Sequence, residues 1–217
     1  MIIAIDGPAV SGKSSVARMA ARRLRLAYID TGALYRAVGL AVLRRGLSPK
    51  NKTHVESCLP VHLKVRYIDD EQHVFLDGED VSEAIRGPEA SMASSDVAKV
   101  PAVRDFLLEL QRSLARAQSC IVDGRDIGTV VLPNADIKIF LTASAEERAR
   151  RRHAQYQEKG LSDTYEEVLA AVTARDEQDM NRAIAPLKPA EDSIKLDSTG
   201  LEFEETVQAV IDIIHNS

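Results

Sequence analysis

Apolar residues recur along this chain with two different periods, and the change of period divides it. The opening run "MIIAID" is short and continuously apolar up to Asp6, as a strand buried on both faces would be. After a glycine-rich loop, Val16, Ala17, Ala20 and Leu24 keep helical spacing while Arg18, Arg22, Arg23 and Arg25 take the other side. "AYID" predicts a second strand, and Thr31 is expected to cap a helix through "GALYRAVGLAVLRR" that stops at Gly46. The period then becomes two: Val61, Leu63, Val65 and Tyr67 alternate with His62, Lys64 and Arg66, "DDEQ" is a polar turn, and "HVFLDG" is the return strand before "EDVSEAI".

From Pro101 the helical period resumes in "AVRDFLLELQRSLARA". "CIVDG" and "IKIFL" predict buried strands, and "IKLD" a last one before the closing helix "EETVQAVIDII". Between "IKIFL" and "IKLD" lies a helical hairpin, with Ser144 and Glu147 as one capping box, Thr164 and Glu167 as another, and the polar link "EKGLSD". Strands separated by helices predict an α/β fold, a parallel sheet with helices on both faces. The expected organisation is one P-loop-type domain over 1–217. Its core would be 1–57, 101–143 and 183–217, with an inserted antiparallel lobe at about 58–100 and a helical lid at about 144–182. The other reading of the hairpin lobe is ordinary decoration.

Composition narrows the class without naming a reaction. In 217 residues, 45% are hydrophobic and 28% charged, the profile of a soluble globular domain. A formal charge of −5 argues against nucleic-acid binding, which needs a basic face. Cys58 and Cys120 form no CxxC pair, and the five histidines show no metal spacing. No apolar run approaches the roughly 20 residues that span a bilayer, and Asp6 interrupts the opening run too early for a signal peptide. A cytoplasmic protein, with no membrane or nucleic-acid partner and working as a monomer, is the expectation.

The strongest chemical signal is "GPAVSGKS", which matches G-x-x-x-x-G-K-[ST] at Gly7, Gly12, Lys13 and Ser14. In such a loop (Gly7, Pro8, Ala9, Val10, Ser11, Gly12, Lys13, Ser14 and Ser15) main-chain N–H groups converge on phosphate oxygens, and the following helix adds its positive end. Lys13 would reach the β- and γ-phosphates of a nucleotide, and the Ser14 hydroxyl is placed to ligate Mg²⁺. Asp123, closing "CIVD", would join the metal directly or through its water shell, or merely cap a turn.

Hydrolytic switches and kinases share this loop, so other stretches must discriminate. "DTGALYR" places Thr31 at a helix start with Tyr35 and Arg36 one turn in, an anion site. "DGRDIGT" offers Arg125 as a planar fork for phosphate and Asp126 as an acceptor for an amino group, unless the two form a simple loop ion pair. On the hairpin's second helix, the stripe through Val168 and Val172 continues into Arg175, Asp179 and Arg182, and unpartnered buried charge is unfavourable. Arg148, Arg151 and Arg152 stand on the partner helix. These arginines could neutralise a phosphoryl group in transfer, or some could form a solvated basic face. A GTPase-type switch would want an N/T-K-x-D segment, and none occurs. Adenylate or shikimate kinase, on the same fold, and a non-enzymatic nucleotide-binding module are the other readings.

Taken together, "AIDGPAVSGKSSVA", "DTGALYRAV", "DGRDIGTVV", "IKIFLTAS", "RDEQDMNRAIAPL" and "KLDSTGL" resemble bacterial-type cytidylate kinases, in order, from residue 2 to about 202. The resemblance implies transfer of the ATP γ-phosphate to CMP or dCMP with Mg²⁺. It implies that Arg36 and Arg125 hold the acceptor phosphate, that Ser95, Arg104 and Asp126 read the cytosine, and that Thr31, Asp179 and Arg182 lie near the ribose. It further implies that Arg148, Arg151, Arg152 and Arg175 close on the donor phosphates, making Lys13, Arg125, Arg148, Arg175 and Arg182 the catalytic set. Two departures are visible: Val10 and Ser11 stand where relatives often have Gly or Ala, and Thr31 where some have Ser.

Overall fold

The computed structural model describes residues 1–158 and 160–217; Lys159, in the predicted link between the two hairpin helices, lies outside the described residues. In chain order the elements are β1 (Ile2–Asp6), α1 (Lys13–Leu24), β2 (Ala27–Asp30), α2 (Thr31–Arg44), α3 (Lys52–Ser57), β3 (Leu63–Ile68), β4 (Glu71–Leu76), β5 (Glu79–Asp80), α4 (Pro88–Val97) and α5 (Pro101–Ala117). They continue with β6 (Cys120–Gly124), β7 (Ile137–Thr142), α6 (Ala145–Glu158), α7 (Tyr165–Met180), β8 (Ile194–Asp197) and α8 (Phe203–Asn216). The chain forms two compact units, residues 1–26 with 120–217, and residues 27–119.

In the first unit, β6, β1, β7 and β8 run parallel in that order, with Ile3 opposite both Ile121 and Ile137, and Ile139 opposite Ile194. Strands buried on both faces need no alternation, and Ile3, Ala4, Ile5, Ile121 and Val122 are all buried. Helix α1 lays Val16, Ala17, Ala20 and Ala21 inward, and its arginines outward, as its spacing predicts. The α6–α7 hairpin has a small apolar centre of Ala149, Val168 and Val172, on which Tyr156, Tyr165, Leu169 and Val10 pack. The Thr164–Glu167 capping box is present in full.

The second unit is built on one apolar cluster that draws on α2, α3, α4, α5 and the β3–β4 hairpin, with Leu34, Val38, Val42, Val74, Leu76, Val97, Val103 and Leu107 among its members. The hairpin pairs Leu63 with Leu76, Val65 with Val74 and Tyr67 with Gln72, so the period-two pattern holds. Its turn is Asp69–Asp70, both in the left-handed region (φ 51 and 62), where Asp is tolerated best after Gly and Asn. The return strand therefore begins at Glu71, earlier than "HVFLDG" predicts. Helix α4 is not among the elements predicted from the sequence, because its inward stripe of Ala90, Ala93 and Val97 is faint. It exists because Pro88 starts it and because Gly39 of α2 lets the two helices touch: a Cβ at Gly39 would lie 2.8 Å from that of Ala93.

Candidate functional site

The phosphate loop lies between β1 and α1, and its shape is enforced by contacts that leave no room for side chains. A Cβ on Gly7 would stand 2.0 Å from the Leu141 carbonyl oxygen, so the residue can only be glycine. Gly12 takes φ 78 as the N-cap of α1. Val10 adopts φ 61, a left-handed conformation that a β-branched residue enters only at a cost. Its side chain recovers part of that cost by packing on the apolar centre of the α6–α7 hairpin. The Ser11 hydroxyl is buried in the loop with no hydrogen-bond partner, an uncommon state that a phosphate oxygen would relieve. Main-chain curvature, a helix start and an orphaned hydroxyl together fit a bound phosphate.

Beneath the loop, the Lys13 ammonium is 2.9 Å from the Asp123 carboxylate, and both are buried. Burial alone would raise the Asp123 pKa. The Lys13 charge, hydrogen bonds from Ser14 and Lys13, and the field of Arg125 outweigh it and hold the group below the usual carboxylate range. Ser14 and Asp123, brought together as the sequence predicts, present the hard oxygens that Mg²⁺ takes. Among the described residues no cluster of three His, Cys, Asp or Glu side chains could cage a metal. A cation at this place would therefore keep much of its water, as Mg²⁺ usually does.

The segment after β6 is not an ordinary loop. Residues Ile127–Val131 form a single π-helical turn, and Asp6 holds its start: the Ile127 and Gly128 N–H groups donate to its two carboxylate oxygens at 2.8 and 2.7 Å. Burial drives the Asp6 pKa up to about 6; the Gly128 and Ile127 N–H groups oppose the rise, Asp126 adds to it, and Lys13 opposes it. Asp6 thereby sets the conformation of the residues just after Arg125 and Asp126. The Arg125 Nε donates to Asp179 at 3.3 Å, and Arg182 stands 3.9 Å from the same carboxylate. Arg125, Asp179 and Arg182 thus converge. Helix α7 ends at Met180 with Asn181 as its C-cap, so Arg182 lies past the helix whose stripe predicts it.

The other arginines of the α6–α7 hairpin are placed differently. Arg148 is buried and donates to the carbonyls of Ala9 and Ala143 and to Asp176. Arg151 bonds Glu147 and the Ser198 carbonyl, each at 2.8 Å, and lies beside the loop, 3.9 Å from where a Cβ on Gly12 would be. Arg152 is half-buried with its guanidinium 4.7 Å above the Tyr156 ring. Arg175 is half-buried on α7.

In the second unit, α2 is capped by the Asp30 side chain, which accepts from the Ala33 N–H at 3.0 Å, and not by Thr31 as the sequence suggests. The reason is one residue of register: Thr31 already has helical geometry, and it is buried as the first residue of the helix. The other Asp30 oxygen takes the Arg36 guanidinium at 2.7 Å. The lobe braces this corner, because the Gln72 amide exchanges two hydrogen bonds with the Asp30 main chain, at 2.8 and 3.1 Å. Arg104 is buried, donates to the Ala98 carbonyl at 2.8 Å, and lies 5.7 Å from the Tyr35 ring centre. Ser95 is half-buried on α4. Sequence reasoning missed Asp6, Asp30, Gln72 and Asp176 as site-building groups; Asp30 stands at the end of "AYID" just where an N-cap should, and was the one with a readable signal.

A strand running into this loop and a lysine paired to a strand-end aspartate beneath it place the protein among the phosphate-loop nucleotide-binding proteins. The chain belongs to the cytidylate kinase family, whose model matches residues 3–216. It is 49% identical over 214 residues to the cytidylate kinase of Caldicellulosiruptor bescii, covering 98% of this chain and 95% of that one. To the cytidylate kinase of Carboxydothermus hydrogenoformans it is 48% identical over 215 residues, covering 99% and 97%. Among solved structures, an uncharacterized protein from Eubacterium ventriosum superposes with a TM-score of 0.57 at 13% identity, covering 100% of this chain and 99% of that one, a likeness of fold alone.

Proposed function

We propose that this protein transfers the γ-phosphate of ATP to CMP or dCMP, giving ADP and CDP or dCDP. The observation that carries the reading is the segment after β6, where a buried aspartate sets the turn that follows a phosphate-type fork, Arg125, and an acceptor for an amino group, Asp126. A hydrolytic switch has no use for that pair. Cytosine presents an N4 amino donor, which Asp126 would accept while Arg104 and Ser95 bond the rest of the base edge. Arg36 and Arg125 would hold the acceptor phosphate, and Thr31, Asp179 and Arg182 the ribose.

On the donor side, residues Gly7 to Ser15 cradle the ATP phosphates, with Lys13 on the β- and γ-oxygens and Arg151 and Arg152 closing over them. Ser14 and Asp123 would hold Mg²⁺, directly or through its water, and the ion would supply neutralising charge to the phosphates. The attacking oxygen of the acceptor phosphate is already anionic, so no general base is needed. Positioning and charge carry the rate, with Lys13, Arg125, Arg175 and Arg182 gathering around the phosphoryl group as it moves. Closure of the α6–α7 hairpin (the lid, about 144–182) would exclude water and so suppress ATP hydrolysis. The protein is expected to work as a monomer in the cytoplasm; among the described residues no helix is long and apolar enough to cross a membrane.

Coupled ATP-consumption assays with CMP, dCMP, UMP, AMP and shikimate test the proposal. Strong preference for the cytosine nucleotides is expected. Equal turnover of CMP and AMP would remove the roles given to Asp126 and Arg104.

A further inference from the structure

The ion pair between Arg148 of α6 and Asp176 of α7 is buried, and its geometry gives it work other than touching phosphate. Every guanidinium nitrogen of Arg148 is engaged. Nε donates to the Ala143 carbonyl at 2.9 Å, just past β7. One terminal nitrogen donates both to the Ala9 carbonyl of the phosphate loop, at 3.0 Å, and to an Asp176 oxygen, at 3.0 Å. The second terminal nitrogen donates to the other Asp176 oxygen. For Arg148 to swing onto a nucleotide it would have to abandon Asp176 as a lone buried carboxylate, which is strongly unfavourable.

Two further contacts fall at the same place. Ala9 precedes Val10, which is held at φ 61 and packs on Ala149, Val168 and Val172, the apolar centre of the same two helices. Asp176 follows Arg175 on α7 and stands one turn before Asp179, the carboxylate that meets Arg125 and Arg182.

We propose that Arg148 and Asp176 form a positioning latch that ties the phosphate-loop main chain at Ala9 to helix α7, so that Arg175 and Asp179 are presented in fixed register with the loop amides. The proposal rests on the phosphate-transfer reading of this site and revises one part of it: Arg148 acts through Ala9 and Asp176 and makes no contact with substrate. The latch joins the roots of α6 and α7 to the loop and leaves the distal parts of the hairpin unconstrained. It also explains how a strained valine is tolerated in a loop that must keep its curvature.

The test is a double-mutant cycle read by Mg-ATP affinity in titration calorimetry and by steady-state kinetics, using Arg148→Met, Asp176→Leu and the double variant. Each single variant is expected to lose ATP affinity by about ten- to hundredfold, the worth of a charge-assisted hydrogen bond, while KM for CMP moves less than about twofold. The double variant should be no worse than either single one, because the two residues act as a unit. Its thermal stability should recover, since an apolar pair of similar volume replaces the buried ions, while ATP affinity should not, since Ala9 has still lost its donor. Arg148→Lys keeps the charge beside Asp176 but loses the fork that also reaches Ala9; it should fold like the unaltered protein and still bind ATP about tenfold more weakly.

Three results would overturn the latch. One is a large loss of kcat in Arg148→Met with Asp176→Leu close to normal, which would make Arg148 a phosphate ligand. Another is additive losses in the double variant. The third is a fall in melting temperature with unchanged ATP affinity in all variants, which would make the pair structural only. If the unaltered protein failed to turn over CMP, the acceptor reading would fall, while calorimetry with ATP would still read the latch.

Discussion

The two units of this protein treat charge in opposite ways. In the first, Asp6, Lys13, Asp123, Asp126, Lys138, Arg148, Asp176 and Asp179 are all buried, each close to a strand end, the phosphate loop or the lid. In the second, the interior is a continuous apolar cluster, and among the described residues Arg104 is its one buried charge. Ion pairs such as Arg44–Glu79 and Lys99–Asp96 sit at its surface. Burying an ion costs far more than burying a methyl group, so a fold places ions inside only where something requires them. The contrast separates a unit that buries its charges around the phosphate loop from one built as an apolar frame that admits a single buried charge, Arg104.

The largest effect that would test this contrast is loss of a first-unit charge. Arg182→Ala should lower kcat by about 10³-fold or more with the fold intact, as removal of a phosphoryl-stabilising arginine does elsewhere; unchanged kinetics with normal circular dichroism would break the comparison. Removing the second unit's buried charge should act on affinity instead. Arg104→Met is expected to raise KM for CMP by about tenfold to a hundredfold, as loss of a hydrogen bond to a buried charged group does, while KM for ATP stays put. A matching rise for ATP would show that the units are not specialised in this way.

Next in size is Gly39→Val in the apolar frame, which should lower stability by about 1–3 kcal/mol through overpacking against Ala93, read by urea unfolding. A neutral result would mean that α4 is not held by close approach. A comparable effect belongs to Asp6 and depends on pH. Its folded pKa of about 6 lies above the 3.8 of a solvated aspartate. The folded state therefore binds the extra proton, and that contribution is complete below about pH 4 and is lost as pH rises through 6. Relative to Asp6→Asn, the native protein should lose about 2 kcal/mol of unfolding free energy between pH 4 and pH 7, most of the shift from 3.8 to about 6 at about 1.36 kcal/mol per unit. A flat difference would show that Asp6 is not the buried acid described here. The smallest effect is Arg44→Ala at the exposed pair with Glu79, which should cost less than about 1 kcal/mol and leave kinetics untouched; a larger loss would upset the division between buried and surface charge.

What could be read in advance follows the range of the interactions. The phosphate loop, the arginines of "ERARRRH" and the period-two hairpin are local patterns, and residues a few positions apart suffice to specify them. Helix α4 is different: its inward stripe, Ala90, Ala93 and Val97, is mostly alanine and faint among serines, and its close packing depends on a glycine of α2 far back in the chain. The π-helical turn at Ile127–Val131 depends on Asp6, the last residue of β1 and more than half the chain away. Asp176 was hidden inside the charged run "RDEQD", where nothing but its neighbour in space distinguishes it from a solvated residue. The Thr31 cap failed by a single position, because a β-region aspartate stood just upstream.

The contact between Gly39 and Ala93 has a mechanical corollary. Helix α2 carries Arg36 and helix α4 carries Ser95, and with main chains touching there is no slack by which one could slide along the other. The two residues behave as the jaws of a calliper set at one opening. If Arg36 meets the acceptor phosphate and Ser95 its base, as proposed above, an acceptor would be gauged by the span between the two, and a molecule with the right ends but the wrong length between them would not be gripped at both.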